Sequence, residues 1–307
     1  YSTFYFSVGS TIYMTPGHYL GSYSLGNKYD LDQTLGNSFS HNTSHARTYY
    51  QAKMDWAQTF DKVHEISAML LFNRSLEKND NAIPHATEGL TGRLSYYYDK
   101  RYLAEFNFGY NGSENFAPGH RYGFFPALSV GWVVTNEKFM KNTQSWLDFL
   151  KVRASYGTVG SDYCAGQRFL YTTYYQGGDS YNFGSNLGTS YGGIKEGGLP
   201  NPKITWEKAK KLNIGFDIHV LRERLALTID FFDEHRTDIV TQLVGKKLSY
   251  SEVVGADASY VNCGKVNNHG VDLELSWNDR INRNFRYWIR PNFTYSRNKI
   301  IYSATLP

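Results

Sequence analysis

Alternation of apolar and polar residues over runs of about ten positions constrains this chain more than any other feature. From Lys211 to Val220, Leu212, Ile214, Phe216, Ile218 and Val220 alternate with Asn213, Gly215, Asp217 and His219, so an extended backbone gathers the apolar side chains on one face. A second run, Arg224 to Asp233, sets Leu225, Leu227, Ile229 and Phe231 against Ala226, Thr228 and Asp230. Only Leu221, Arg222 and Glu223 separate the two, which predicts a tight hairpin. The same unit recurs. Gly92, Leu94, Tyr96 and Tyr98 join Tyr102, Ala104, Phe106, Phe108 and Tyr110 through Asp99, Lys100 and Arg101. Tyr50, Ala52, Met54, Trp56 and Phe60 join Ile66, Ala68, Leu70 and Phe72 through Asp61 and Lys62. Val271, Leu273, Leu275 and Trp277 precede a further run of Phe285, Tyr287, Ile289, Phe293 and Tyr295. Pro291 falls inside that last run and removes a ladder donor, so the reading there is of an edge strand.

The connections alternate in length. Short turns follow Phe60, Tyr98 and Val220, whereas 73–87, 111–124, 159–205 and 235–269 read as long polar loops rich in Gly, Asn, Ser and Tyr. Short turns on one side and long loops on the other are the pattern of outer-membrane barrels, with the turns in the periplasm. The stretch from Thr135 to Asp148 falls on the short side, and Phe139, Trp146 and Leu147 predict a short packed helix there.

A soluble sandwich also yields half-buried alternating strands, so one strand alone does not separate it from a barrel. Strand length, one-sided loops and tyrosines near the turns (Tyr96, Tyr98, Tyr102, Tyr287) favour the barrel with its aromatic girdle. Mean hydropathy is −0.50 and no stretch offers the ~20 apolar residues of a spanning helix, which excludes helical membrane proteins but not barrels. Net charge is only +4 with scattered Lys and Arg, giving nucleic-acid binding little support. Cys164 and Cys263 have no CxxC or metal-ligand spacing and read as two unpaired thiols. The chain starts at Tyr1 without a charged, apolar leader and stops just after a strand, so both ends read as cut.

Signals of chemistry are weak. Gly188, Thr189, Ser190, Tyr191 and Gly192 match GxSxG, but a nucleophile elbow needs a strand before and a helix after, and this stretch reads as glycine-rich loop. His41 and His45 lack a third ligand and read as a solvated loop. No phosphate or dinucleotide fingerprint is present, so the expectation is no enzyme, cofactor or metal.

Several ordered motifs stand out. Arg101, Tyr102, Leu103 and Glu105 precede Asn111, Gly112, Ser113, Glu114, Asn115 and Phe116, then Arg121, Gly123, Phe124, Phe125, Pro126, Ala127, Ser129, Gly131 and Trp132. Leu150 to Gly157 with Gly160 follows, then Asn201, Pro202, Trp206, Glu207, Asn213, Ile214, Gly215 and Asp217. Asn262, Gly264, Val266, Asn267, Asn268, Gly270, Val271, Asp272 and Glu274 close the series. This order resembles the SusC/RagA family of TonB-dependent outer-membrane transporters of Bacteroidetes, well over Gly89 to Ile300 and poorly over Tyr1 to Thr48. Ser161 and Asp272 depart from its commoner Asn and Glu. Physically, Gly112, Gly157 and Gly264 read as positive-φ or bulge positions, Trp132 and Trp206 as girdle or packing residues, and Arg101 as an interfacial charge.

The expected fold is therefore all-β: a transmembrane antiparallel barrel wall across 1–307, with about eleven strands if Thr3 to Tyr13 adds one, half of the roughly 22 of such transporters. The resemblance implies a signal sequence, plug domain, TonB-contact segment and closing strands outside this chain. It also implies import of an oligosaccharide or oligopeptide across the cell outer membrane, with a SusD-like surface lipoprotein, the TonB complex and membrane lipid as partners. Porin, soluble carbohydrate-binding domain and outer-membrane enzyme are the rivals. In the loop 159–205, Tyr171, Tyr174, Tyr175 and Tyr181 are the candidate contacts to substrate or lid, since rings stack on sugars or peptide side chains and glycines let the loop adapt.

Overall fold

The computed structural model describes residues 3–14, 19–24, 36–41, 45–79, 83–143, 145–183, 187–243 and 258–303, with backbone alone up to 41 and at 189. In chain order the strands are β1 (Thr3–Met14), β2 (Tyr19–Ser24), β3 (Gly36–His41), β4 (His45–Phe60), β5 (His64–Asn79), β6 (His85–Tyr98), β7 (Tyr102–Ser113) and β8 (Tyr122–Val133). They continue as β9 (Leu147–Ser161), β10 (Tyr175–Phe183), β11 (Thr189–Glu196), β12 (Glu207–Val220), β13 (Leu225–Gln242), β14 (Tyr260–Asn282), β15 (Phe285–Ile289) and β16 (Asn292–Tyr302). The main sheet has twelve strands in the order β1-β4-β5-β6-β7-β8-β9-β12-β13-β14-β15, with β16 also on β14. Because β15 and β16 share one side of β14, they are one strand interrupted at Arg290 and Pro291, and the wall is eleven positions wide, as the sequence predicts. The β2–β3 and β10–β11 hairpins form separate two-stranded sheets.

Register carries the alternation right across the wall. One row runs Trp56, Ala68, Leu94, Phe106, Leu128, Tyr156 and Leu212, and another runs Val130, Ala154, Ile214, Phe231, Val271 and Tyr295. Nothing among the described residues covers this face: Leu128 is 54% exposed, Tyr156 54% and Phe231 51%. A continuous exposed apolar surface of this extent belongs against lipid rather than water. The opposite face carries Ser67, Ser95, Glu105, Ser129, Ser155 and Asn213 in register, a polar lining suited to a lumen. A sandwich would bury the apolar face instead.

The short turns sit where expected. Asp61 and Lys62 (φ 47° and 60°), Asp99 and Lys100 (47° and 53°) and Leu221 to Glu223 (58–63°) all take the left-handed conformation that tight hairpins between twisted strands demand. The long loops are shorter than the sequence reading. β5 runs on to Asn79 and β7 to Ser113, leaving 80–84 and 114–121 as the connections, because hydrogen-bond ladders continue beyond the apolar band where both faces are polar. Between β13 and β14 the connection contracts to 243–259, of which 244–257 lie outside the described residues.

Two further expectations are corrected and a third holds. Thr135 to Asp148 holds two 3₁₀ turns, Val134–Asn136 and Lys138–Thr143, and Phe139 (66%) and Trp146 (58%) are exposed while Leu147 is buried. Gly112 and Gly157 have ordinary φ inside strands, and their role is space: a Cβ would stand 2.6 Å from the Tyr122 ring or 2.5 Å from Ala127 Cβ. Gly264 does lie opposite a bulge, at the register shift beside Ile239.

Candidate functional site

The four tyrosines singled out from the sequence separate into two pairs. Tyr171 donates its hydroxyl to the Glu114 carbonyl at 3.4 Å, and the Tyr174 hydroxyl accepts the Gly198 N–H at 3.3 Å while its carbonyl accepts Gly197 N–H at 2.8 Å. The Tyr174 ring fills the space a Cβ at Gly197 would need, so Tyr174 braces the base of the β10–β11 hairpin while Tyr171 ties its own loop to the β7–β8 connection. Tyr175 (71%) and Tyr181 (70%) project from the hairpin itself. Tyr181 pairs with Tyr191, and Phe183 lies 5.6 Å from the Tyr181 ring and 5.8 Å from that of Tyr191. Phe183 and Tyr191 are therefore platform residues that the sequence reading missed; period-2 spacing of Tyr181 with Phe183 was the available signal. The stretch read as glycine-rich loop is thus a strand pair, Thr189 to Gly192 lying in β11. Thr189 to Glu196 is all strand and no helix follows it among the described residues, so the GxSxG match has no elbow geometry. His41 and His45 likewise end β3 and begin β4 rather than sitting in a loop.

The hairpin stands on a buried cluster at the outer rim: Phe116, Phe125, Cys164, Leu170, Ile204, Trp206 and Val240. Trp206 packs on Phe116 and Phe125 at 5.2 and 5.3 Å and donates its indole N–H to the Arg121 carbonyl at 3.1 Å. The motif asparagines lace the loops together. Asn201 donates to the Tyr260 carbonyl at 2.8 Å, and Asn262 accepts from Thr205 N–H at 2.9 Å while donating to the Thr205 and Asp238 carbonyls at 2.7 Å. Arg168 binds the Ile83 and Pro84 carbonyls (2.7 and 2.9 Å) and the Glu114 carboxylate, joining three loops. Burial and the neighbouring Asp162 carboxylate push the Cys164 thiol up to about 11. Both cysteines are free thiols.

On the lumen face, Arg153 from β9 reaches Asp217 of β12 at 3.3 Å and Asp230 of β13 at 2.6 Å. Nearby, Glu105 accepts from Ser95 (2.9 Å) and Asn107 (2.7 Å). A shallow depression of about 300 Å³ lies between, half polar and half apolar, with Glu105, Lys151, Arg153 and Asn213 beside Leu103 and Val130. Among the described residues no group of His, Cys, Asp and Glu could hold a metal ion.

An apolar outer face, a polar inner face, tight turns at one rim and laced loops at the other define a stretch of outer-membrane β-barrel wall. The sequence pattern described as "TonB dependent receptor-like, beta-barrel" matches residues 1–306, and the chain belongs to that family. Among curated relatives, SusC of Bacteroides thetaiotaomicron is 27% identical over 209 residues, 68% of this chain and 20% of SusC. The TonB-dependent receptor P39 of Formosa agariphila is 27% identical over 248 residues, 80% of this chain and 22% of P39. The chain thus spans about a fifth of these relatives. Among solved structures, a chain of the RagAB peptide transporter matches with TM-score 0.76 and 18% identity over 97% of this chain and 35% of its own. The transporter YddB of Escherichia coli matches with TM-score 0.56 and 12% identity over 99% of this chain and 41% of its own. The chain is of SusC/RagA type and its place is the outer membrane.

Proposed function

We propose that this chain is the barrel wall of a TonB-dependent importer that takes up a nutrient too large for porins, an oligosaccharide or glycan fragment, capped by a SusD-like surface lipoprotein. The whole of 1–307 is one barrel segment in this reading, and plug, TonB-contact segment and further strands come from the rest of the protein. It acts by binding and gating without covalent change. The observation that supports the glycan reading is the exposed ring cluster of Tyr181, Phe183 and Tyr191 on the β10–β11 hairpin, since ring faces stack on sugars. An oligopeptide is the second reading, favoured by the likeness to the RagAB peptide importer.

The test is deletion of Gly177 to Gly193 in the full-length transporter. Uptake of the cognate glycan or peptide and co-purification of the lipoprotein should fall while the outer-membrane level stays normal. Unchanged uptake with the lipoprotein retained removes the hairpin from the binding role. Sequencing the flanking gene for a plug-coding region and a neighbouring lipoprotein gene checks the assembly independently.

A further inference from the structure

The connection from β8 to β9 runs along the inner rim, and its geometry says on which side of the wall it lies. The Glu137 carboxylate accepts hydrogen bonds from the Tyr102 hydroxyl at 2.6 Å, the Trp132 indole N–H at 3.2 Å and the Arg101 guanidinium at 3.2 Å. Tyr102 and Trp132 are cross-strand partners in the lipid-facing register, continuous with Phe106 and Leu128. The connection has therefore folded over the lipid side of the wall, away from the lumen. It is tied to the turns on both flanks: the Asn136 amide donates to the Lys100 carbonyl at 2.8 Å, and the Trp146 carbonyl accepts Leu221 N–H at 3.4 Å.

What it leaves uncovered is apolar and cationic together. Phe139 is 66% exposed, Trp146 58% and Leu221 50%, with Lys138 and Lys141 also exposed. Rings at the edge of a hydrocarbon belt beside ammonium groups suit the layer of glycerol and phosphate in a bilayer. We propose that residues 137–141 with Trp146 form a hook that binds the phospholipid leaflet on the periplasmic side. Phe139 and Trp146 sit at the glycerol level, and Lys138 and Lys141 lie against anionic headgroups. Continuity with the lipid-facing belt through Tyr102 and Trp132, and the sign of the two lysines, select phospholipid over a soluble protein as the occupant.

The test places a photoreactive benzophenone amino acid at position 139 of the full-length receptor, in nanodiscs of phosphatidylethanolamine with or without phosphatidylglycerol. Irradiation followed by mass spectrometry should give lipid adducts at 139 and none from the same group at 181. The phosphatidylglycerol share should fall roughly fivefold for each of Lys138→Glu and Lys141→Glu. A heat-modifiable band confirms that the barrel has formed, and a variant that fails to form it is replaced by the label at 146, to which the same outcomes apply. No lipid adduct from a formed barrel, or adducts to protein only, overturns the hook, and adducts indifferent to both lysines overturn the headgroup assignment.

Discussion

Gly215 and Arg153 compete for one volume: a Cβ at 215 would stand 2.5 Å from Arg153 Cζ and 2.7 Å from Asp230 Oδ1. The two residues are register partners, and Gly215 also pairs with Asp230, so the missing side chain is what admits a guanidinium between two carboxylates on adjacent strands. Glycine here is chosen for space and not for backbone freedom, since its φ is ordinary.

Gly215→Ala should expel the guanidinium and destabilise the folded wall by about 1–2 kcal/mol, the cost of breaking a partly buried pair discounted for its contact with solvent. In an Arg153→Met background the same substitution should cost less than about 0.5 kcal/mol. A double-mutant cycle by urea unfolding in detergent micelles measures both, and additive costs contradict the shared volume.

A second glycine makes a similar prediction at the outer rim. A Cβ at Gly160 would stand 1.9 Å from the Phe125 ring, so Gly160→Ala should push that ring off Trp206 at a cost of about 1–3 kcal/mol. Pairing it with Phe125→Leu should recover part of the loss. The melting midpoint of the folded band and a red shift of Trp206 fluorescence report the change.

With its thiol pushed up to about 11, Cys164 carries on the order of a thousandth of its population as thiolate at pH 8. Alkylation in the folded protein should run about two orders of magnitude slower than for a free thiol and become normal on unfolding. Because the folded value is the higher one, this group supports the fold fully below the unfolded value of ~8.5 and loses that contribution as pH rises toward 11. Peptide mapping after timed alkylation checks the rate, and rapid native modification of Cys164 refutes the burial.

Glu137 gives the opposite sign. The Tyr102 hydroxyl, then the Trp132 indole and the Arg101 guanidinium, hold its carboxyl below the usual carboxylate range. Its contribution is therefore present above the unfolded value of ~4.3 and is lost as pH falls through the lower folded value. Protease sensitivity between Thr135 and Leu147 should rise steeply below about pH 4, and Glu137→Gln should flatten that curve. An unchanged profile in the variant argues against the contact.

Strands, turns and the lipid-facing side were readable in the sequence because period 2 fixes which face a residue occupies and Asp61-Lys62 or Asp99-Lys100 mark the turns. Strand ends were not. Past the apolar band, Asn73 to Glu77 keeps its ladder to β6 and Lys78 and Asn79 stay paired with β4, while every residue but Leu76 is polar, so hydropathy carries little trace of the strand. Hairpin β10–β11 was hidden for a related reason: its glycines and polar residues break the apolar alternation that main-chain pairing does not need. Tyr171 and Tyr175 look alike in sequence, yet one is bonded to Glu114 and the other projects into open space, a difference set by residues far away in the chain. The rim cluster joins Phe116 to Trp206 across two strands and a long excursion, and the motif asparagines that lace it, Asn201 and Asn262, advertise nothing apolar at all.

Apart from the β1–β4 and β9–β12 joins, each of which skips a small hairpin, every ladder in the wall joins strands that follow one another in the chain. A growing sheet of this kind seldom waits for a distant partner, so most of it can be laid down one hairpin at a time with little loop-closure entropy at each such addition. The tight left-handed turns then act as pre-formed corners that cross no lipid headgroups, while the bulky rim has to be carried through the bilayer or matured beyond it. Assembly speed should accordingly be set by the β9–β12 addition, where the long excursion and its aromatic cluster intervene, rather than by the apolar strands themselves.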